Sequence, residues 1–153
     1  MAAFQPRDTD FEARVRGSFA RHTLMNTIGA RLVKVSPGEV EIELPFRDDL
    51  CQQHGFLHGG IVTAIVDVAC GYSALSLMPA HAAVLTVEFK VNFLAPAKGE
   101  RMIARGRVVK PGRTLTVCAG DVVGVTGAEE KVIATMLGTM MAVYERADVP
   151  GGL

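Results

Sequence analysis

Gln52-Gln53-His54-Gly55-Phe56-Leu57-His58-Gly59-Gly60-Ile61-Val62-Thr63-Ala64-Ile65-Val66-Asp67-Val68-Ala69 decides the fold of this chain. A polar loop runs into a glycine pair, and the pair opens an apolar run in which Asp67 is the only charge. Glycine lets another molecule approach the backbone closely, so Gly59 and Gly60 point to N–H groups left bare for a ligand. A lone carboxylate inside an apolar run is costly to bury unless it is paired, neutralised or used in chemistry. Together they point to a pocket that polarises an oxygen and holds a carboxylate base.

The β-branched residues after Gly60 would suit a strand, but the run is too long for an ordinary one, and a helix is expected from about Gly59 to the breaker Pro79. Ala64, Ala69, Gly71 and Ala74 would let that helix sit close against a sheet. At its positive end the N–H groups of Gly59 and Gly60 can polarise a carbonyl oxygen. Gln52 or Gln53 can add a side-chain N–H, and His58, beside Gly59, has its simplest role in ordering the loop through a bond from its ring to the backbone. Asp67 lies eight residues beyond Gly59, about 12 Å along a helix axis. One aspartate side chain cannot span that gap. Two such helices packed antiparallel about a two-fold axis would bring the glycines of one chain to the aspartate of the other, so the chemistry predicts a dimer.

Around this segment the pattern is that of a sheet. Thr9 or Asp10 can cap an N-terminal helix with Phe11, Val15 and Phe19 at four-residue steps. Arg31 to Val35 and Val40 to Leu44 flank Pro37-Gly38 as a hairpin. From Val84 the period becomes two, with Val87, Phe89, Val91 and Phe93 alternating with Thr86, Glu88, Lys90 and Asn92. Arg101 to Val109, Thr114 to Val125 and Lys131 to Tyr144 are joined by the turns at Pro111-Gly112 and Gly127-Ala128, and must pair as an antiparallel meander. An apolar helix flanked by such strands is best buried by a curled sheet wrapped around it, an α+β arrangement. The expected organisation is an N-terminal helix within residues 1–24, one domain over 25–145 and a loose tail over 146–153.

With 153 residues, 49% of them hydrophobic, the chain is long enough to bury a core of its own. Lysine plus arginine and aspartate plus glutamate number 16 each, which makes no electrostatic case for nucleic acid or a membrane surface. Three widely spaced cysteines give no disulfide framework and fit a reducing cytosol. The N-terminal arginines are mixed with acidic residues and no apolar stretch follows them, unlike a signal or transit peptide. Residues 59–78 have the length of a membrane span, but Asp67, Tyr72, Ser73 and Ser76 interrupt them. Cys51, His54 and His58 have a spacing that could fold around zinc, without an obvious fourth ligand. There is no Gly-x-Ser-x-Gly elbow and no phosphate-cradling glycine loop.

On Gln52, His58-Gly59-Gly60, Asp67 and the later Thr86-Val87-Glu88-Phe89-Lys90-Val91-Asn92-Phe93-Leu94-Ala95-Pro96-Ala97, the chain resembles the PaaI-like branch of the hotdog-fold acyl-CoA thioesterases over about residues 25–144. The resemblance implies a sheet wrapped around a long central helix, protomers joined into one continuous sheet as homodimers that pair into homotetramers, and no cofactor or metal. It implies that the Gly59 N–H polarises the thioester carbonyl with Gln52 assisting, Gln53 being the possible substitute. It further implies that Asp67 of the partner protomer acts as base or nucleophile, and that Thr86 holds the water. Many members carry asparagine at the place of Gln52 and serine at that of Thr86. Lys90, Arg113 and Thr114 are candidates for the nucleotide end of coenzyme A. Phe56, Leu57, Tyr72 and Met78 are candidates for an acyl pocket. The implied activity is hydrolysis of an acyl-CoA to free acid and coenzyme A in the cytosol, with no nucleic-acid or membrane partner. The alternatives are an acyl-CoA binding or sensing protein without catalysis, and a hotdog hydratase, which would need an acid/base pair at the β-carbon.

Overall fold

The structure is a computed structural model that describes residues 4–144; the expected loose tail, 146–153, lies outside the described residues. In chain order the elements are α1 (Phe11–Ala20), α2 (Thr23–Ile28), β1 (Arg31–Ser36), β2 (Glu39–Pro45), a short 3-10 turn (Asp48–Leu50), α3 (Gly59–Leu75), β3 (Ala82–Phe93), β4 (Arg101–Lys110), β5 (Leu115–Thr126) and β6 (Glu129–Tyr144). The strands form one six-stranded antiparallel sheet in the order β1-β2-β4-β5-β6-β3. The meander expected from the turn signals is β4-β5-β6. β3 follows the helix but joins the far side of β6, and this makes it an edge strand.

The sheet curls around α3, which packs on β2, β3, β4, β5 and β6. Ile42, Leu44, Met102, Ala104, Met136 and Met140 are fully or almost fully buried in the core against Val62, Ile65, Val66 and Ala69 of the helix. Of the small helix residues, Ala69 makes the close approach. Its backbone lies so near β4 that a Cβ built on Gly106 would come within 2.4 Å of it. Gly71 does not make such an approach, because a Cβ there would meet nothing within 4 Å.

The N-terminal segment forms two helices where the spacing of Phe11, Val15 and Phe19 indicated one. Asp10 occupies the N-cap position of α1 without a side-chain cap bond. α2 is six residues long, ends on Gly29 in the left-handed conformation, and buries Met25 and Ile28. Both helices cover the C-terminal half of α3. The Arg14 guanidinium donates to the carbonyls of Leu75 at 2.9 Å, Met78 at 2.7 Å and also Pro79, and it pairs with Asp8 at 3.1 Å. Carbonyls in and just beyond the last turn of α3 thereby gain a cationic donor, the partner a helix C-terminus favours. Among the described residues nothing comparable covers the first half of α3, where Ile61, Ala64, Asp67 and Val68 stay half-buried.

Candidate active site

The loop before α3 is pinned from both sides. Leu57 N–H donates to Ala97 O and His58 N–H to Leu50 O, both at 3.0 Å. His58 is the N-cap, and its Nδ1 accepts from the Gly60 N–H at 2.8 Å. The carbonyl of His58 takes the N–H groups of Ile61 at 2.9 Å and Val62 at 3.2 Å. Of the amides in the first turn, those of Gly60, Ile61 and Val62 are therefore occupied. Gly59 N–H has no acceptor among the described residues. A bare N–H at the positive end of a 17-residue helix suits an oxyanion.

Gly59 opens on a cleft of about 450 Å³ whose walls include Gln52, Phe56, Leu57, Phe93 and Pro96. The Gln52 side-chain oxygen accepts from the His54 N–H, and its Nε2 has no acceptor among the described residues. Gln53 is exposed, with its amide 3.4 Å from the His54 ring. The sequence pattern did not single out Phe93 as a site residue. Its ring lies over Gly59, where an added Cβ would be 3.0 Å from Cζ. A side chain at position 59 would both strike this ring and narrow the approach to the bare amide.

Asp67 belongs to a second group farther along α3. Thr86 Oγ1 donates to Asp67 Oδ1 at 2.8 Å. That contact depends on a β-bulge. Strict alternation would place Thr86 with Glu88, Lys90 and Asn92, away from the helix. The register shift between Thr86 and Glu88 instead sets Thr86 opposite Met140, on the side of β3 that carries Phe89, Val91 and Phe93. Burial pushes the Asp67 carboxyl above its usual range, against the opposing pull of the Thr86 hydroxyl and of His22. His22, the N-cap of α2, was also not indicated by the sequence; a six-residue helix has too little periodicity to announce its cap.

The other candidates lie elsewhere. Lys90 is opposite Leu137, on the side of β3 turned away from the helix. Arg113 lines a separate cavity of about 180 Å³ beyond the C-terminal end of α3, together with Met78. The Thr114 carbonyl accepts from Ala142 N–H at 2.8 Å in the same turn. Phe56 and Leu57 do line the cleft at Gly59, whereas Tyr72 packs against α1, with its hydroxyl 3.2 Å from Ser18 Oγ. All three cysteines are free thiols whose pKa values are raised chiefly by burial, so none is primed as a nucleophile. Among the described residues no three His, Cys, Asp or Glu side chains gather as a metal cluster. Among them, too, no helix is long and apolar enough to cross a membrane.

A curled antiparallel sheet wrapped around one long helix is the hotdog fold. The chain belongs to the thioesterase superfamily, whose family model matches residues 54–131, and is a thioester hydrolase. It is similar to a thioesterase family protein from Silicibacter pomeroyi, with 55% identity over 88% of this chain and 98% of that one and a TM-score of 0.86. It is 30% identical to the human acyl-coenzyme A thioesterase 13 over 59% of this chain and 64% of that protein. The PaaI protein of the phenylacetic acid degradation operon of E. coli shares the fold, at 16% identity and a TM-score of 0.80, covering 88% of this chain and 94% of that one.

Proposed function

We propose that this protein hydrolyses acyl-CoA thioesters to free acid and coenzyme A in the cytosol, as a homodimer with two sites that each span both protomers. The observation that carries this reading is the separation, within one chain, of the bare Gly59 amide from the Asp67–Thr86 pair. The edge of the sheet supports it. Among the described residues β3 pairs with β6 alone, and Leu85, Val87, Phe89 and Phe93 of this strand are exposed. A long apolar edge strand is a template for pairing with a second copy. Two β3 strands joined about a two-fold axis would continue the sheet and bring the bare halves of two α3 helices together. On the outer face Leu115 and Leu137 are also exposed, and offer a further surface for pairing dimers into tetramers.

In the composite site the thioester carbonyl oxygen accepts from Gly59 N–H, with the Gln52 amide beside it. Asp67 of the partner protomer removes a proton from water, and Thr86, whose hydroxyl proton is committed to Oδ1, can accept from the other O–H of that water. Attack on the carbonyl carbon places negative charge on the oxygen at Gly59. Collapse then breaks the C–S bond and releases the thiolate. A carboxylate raised by burial is the stronger base.

The test is thiol release from aryl-acetyl, benzoyl and straight-chain acyl-CoA esters across pH. Ionised Asp67 is the active form, so kcat/KM falls as pH drops through its pKa. The acid limb is expected above the ordinary aspartate value of about 3.9. In Thr86→Ala the limb moves further up, since the lost hydrogen bond favoured the charged form. A limb at the ordinary value, or a downward move in Thr86→Ala, would contradict this role. Saturable binding of an acyl-CoA without release of thiol would favour the binding-protein alternative.

A further inference from the structure

We infer that Lys98, held at the rim of the Gly59 cleft by Phe56, receives the phosphate-bearing end of the thiol carrier. This inference rests on the proposed thioesterase reading and names a residue of the same site. The Lys98 ammonium lies 5.9 Å from the centroid of the Phe56 ring, and Phe56 lines the cleft that ends at the bare Gly59 amide and Gln52. Phe56 is half-buried, while Lys98 is exposed and reaches the ring from the segment between β3 and β4.

That segment is anchored. Ala97, next to Lys98, is buried and its carbonyl accepts from Leu57 N–H, two residues before Gly59. The backbone that carries the cation is therefore bonded to the backbone that carries the amide. Among the described residues Lys98 forms no ion pair, unlike Arg47, which Asp49 holds at 2.6 Å. An exposed cation–π contact is weak and easily exchanged for a stronger anionic partner, and lysine binds phosphate as a point charge. The apolar walls between Gly59 and this rim suit the uncharged arm of the carrier, and the cation suits its phosphates.

The two cations that the sequence offered for the nucleotide end are placed differently. Lys90 lies on the side of β3 away from the helix, and Arg113 belongs to the cavity beyond the other end of α3. Lys98, in contact with a wall residue of the Gly59 cleft, is thus added to Lys90 and Arg113 as a candidate for the nucleotide end.

The test compares two thioesters of one acyl group, the acyl-CoA and the acyl-pantetheine, which lacks every phosphate. For the acyl-CoA, Lys98→Gln is expected to raise KM about threefold to tenfold with kcat little changed, the usual range for one exposed charge-assisted contact. For the acyl-pantetheine the same variant should match the wild type. Lys98→Arg should restore the acyl-CoA KM, and added salt should weaken the wild type more than Lys98→Gln. Lys110→Gln, which removes the same charge at the far end of β4, should change neither substrate. Equal effects of Lys98→Gln on both thioesters, or none on the acyl-CoA, would overturn the inference. A wild-type enzyme that hydrolyses neither thioester would instead defeat the functional reading on which it rests.

Discussion

Asp67→Asn is expected to lose about a hundredfold to ten-thousandfold in turnover, the range for removal of a positioned general base, while folding and self-association stay intact. The reason is local. Asparagine keeps the shape and keeps an oxygen to accept from Thr86 Oγ1, but it cannot take a proton from water. The linkage sign supports a folded variant. The carboxyl pKa is raised in the folded protein, so the ionised form opposes folding above that pKa and the proton-bound form favours it below. Removing the charge therefore costs no stability at neutral pH. Thiol release beside a thermal melt and a sizing measurement would check this, and a variant within threefold of the wild type would rule Asp67 out as the base.

Gly59→Pro is expected to lose about a hundredfold to a thousandfold in kcat, the range for one oxyanion donor. Proline is well placed at the first position of a helix and removes only the N–H that has no intrahelical partner. His58, just before it, has φ −59° and ψ 137°, the extended conformation that a following proline requires. The ring would also meet Phe93, so Gly59→Ala serves as the steric control. It adds the Cβ and keeps the amide, and the difference between the two variants isolates the hydrogen bond. Equal activity in Gly59→Pro and Gly59→Ala would show that the amide does not hold the oxyanion.

Much of this arrangement is legible in the residues. The loop, the glycine pair and the lone aspartate mark α3 and both halves of the site, and the turn residues mark the β4-β5-β6 meander. The position of β3 is not legible, because alternation identifies a strand without naming its neighbour. The bulge at Val87 is hidden for a related reason. Period-two reading puts Thr86 on the outer face, and only the register against β6 turns its hydroxyl toward Asp67. Gly60 looks as bare as Gly59 in the sequence, yet the His58 ring occupies its amide. Local composition cannot tell which of two adjacent amides a side chain will take. Phe93 and Lys98 lie more than thirty residues beyond the glycines, and only the curl of the sheet brings them to the cleft.

The separation of Gly59 from Asp67 makes the composite site the central claim, and mixed dimers test it most directly. Differently tagged protomers carrying Gly59→Pro and Asp67→Asn would be co-expressed, and the mixed dimer purified for thiol release. If each site takes its amide from one protomer and its carboxylate from the other, one site in the mixed dimer carries both lesions and the other carries neither. Activity should then return to about half that of the wild type, as two-fold symmetry requires, although each parent is nearly inactive. A wild-type protomer paired with one that carries both substitutions should be nearly inactive, since both of its sites are damaged. The opposite pattern, with the first dimer inactive and the second half-active, would place each site within a single protomer and contradict the claim.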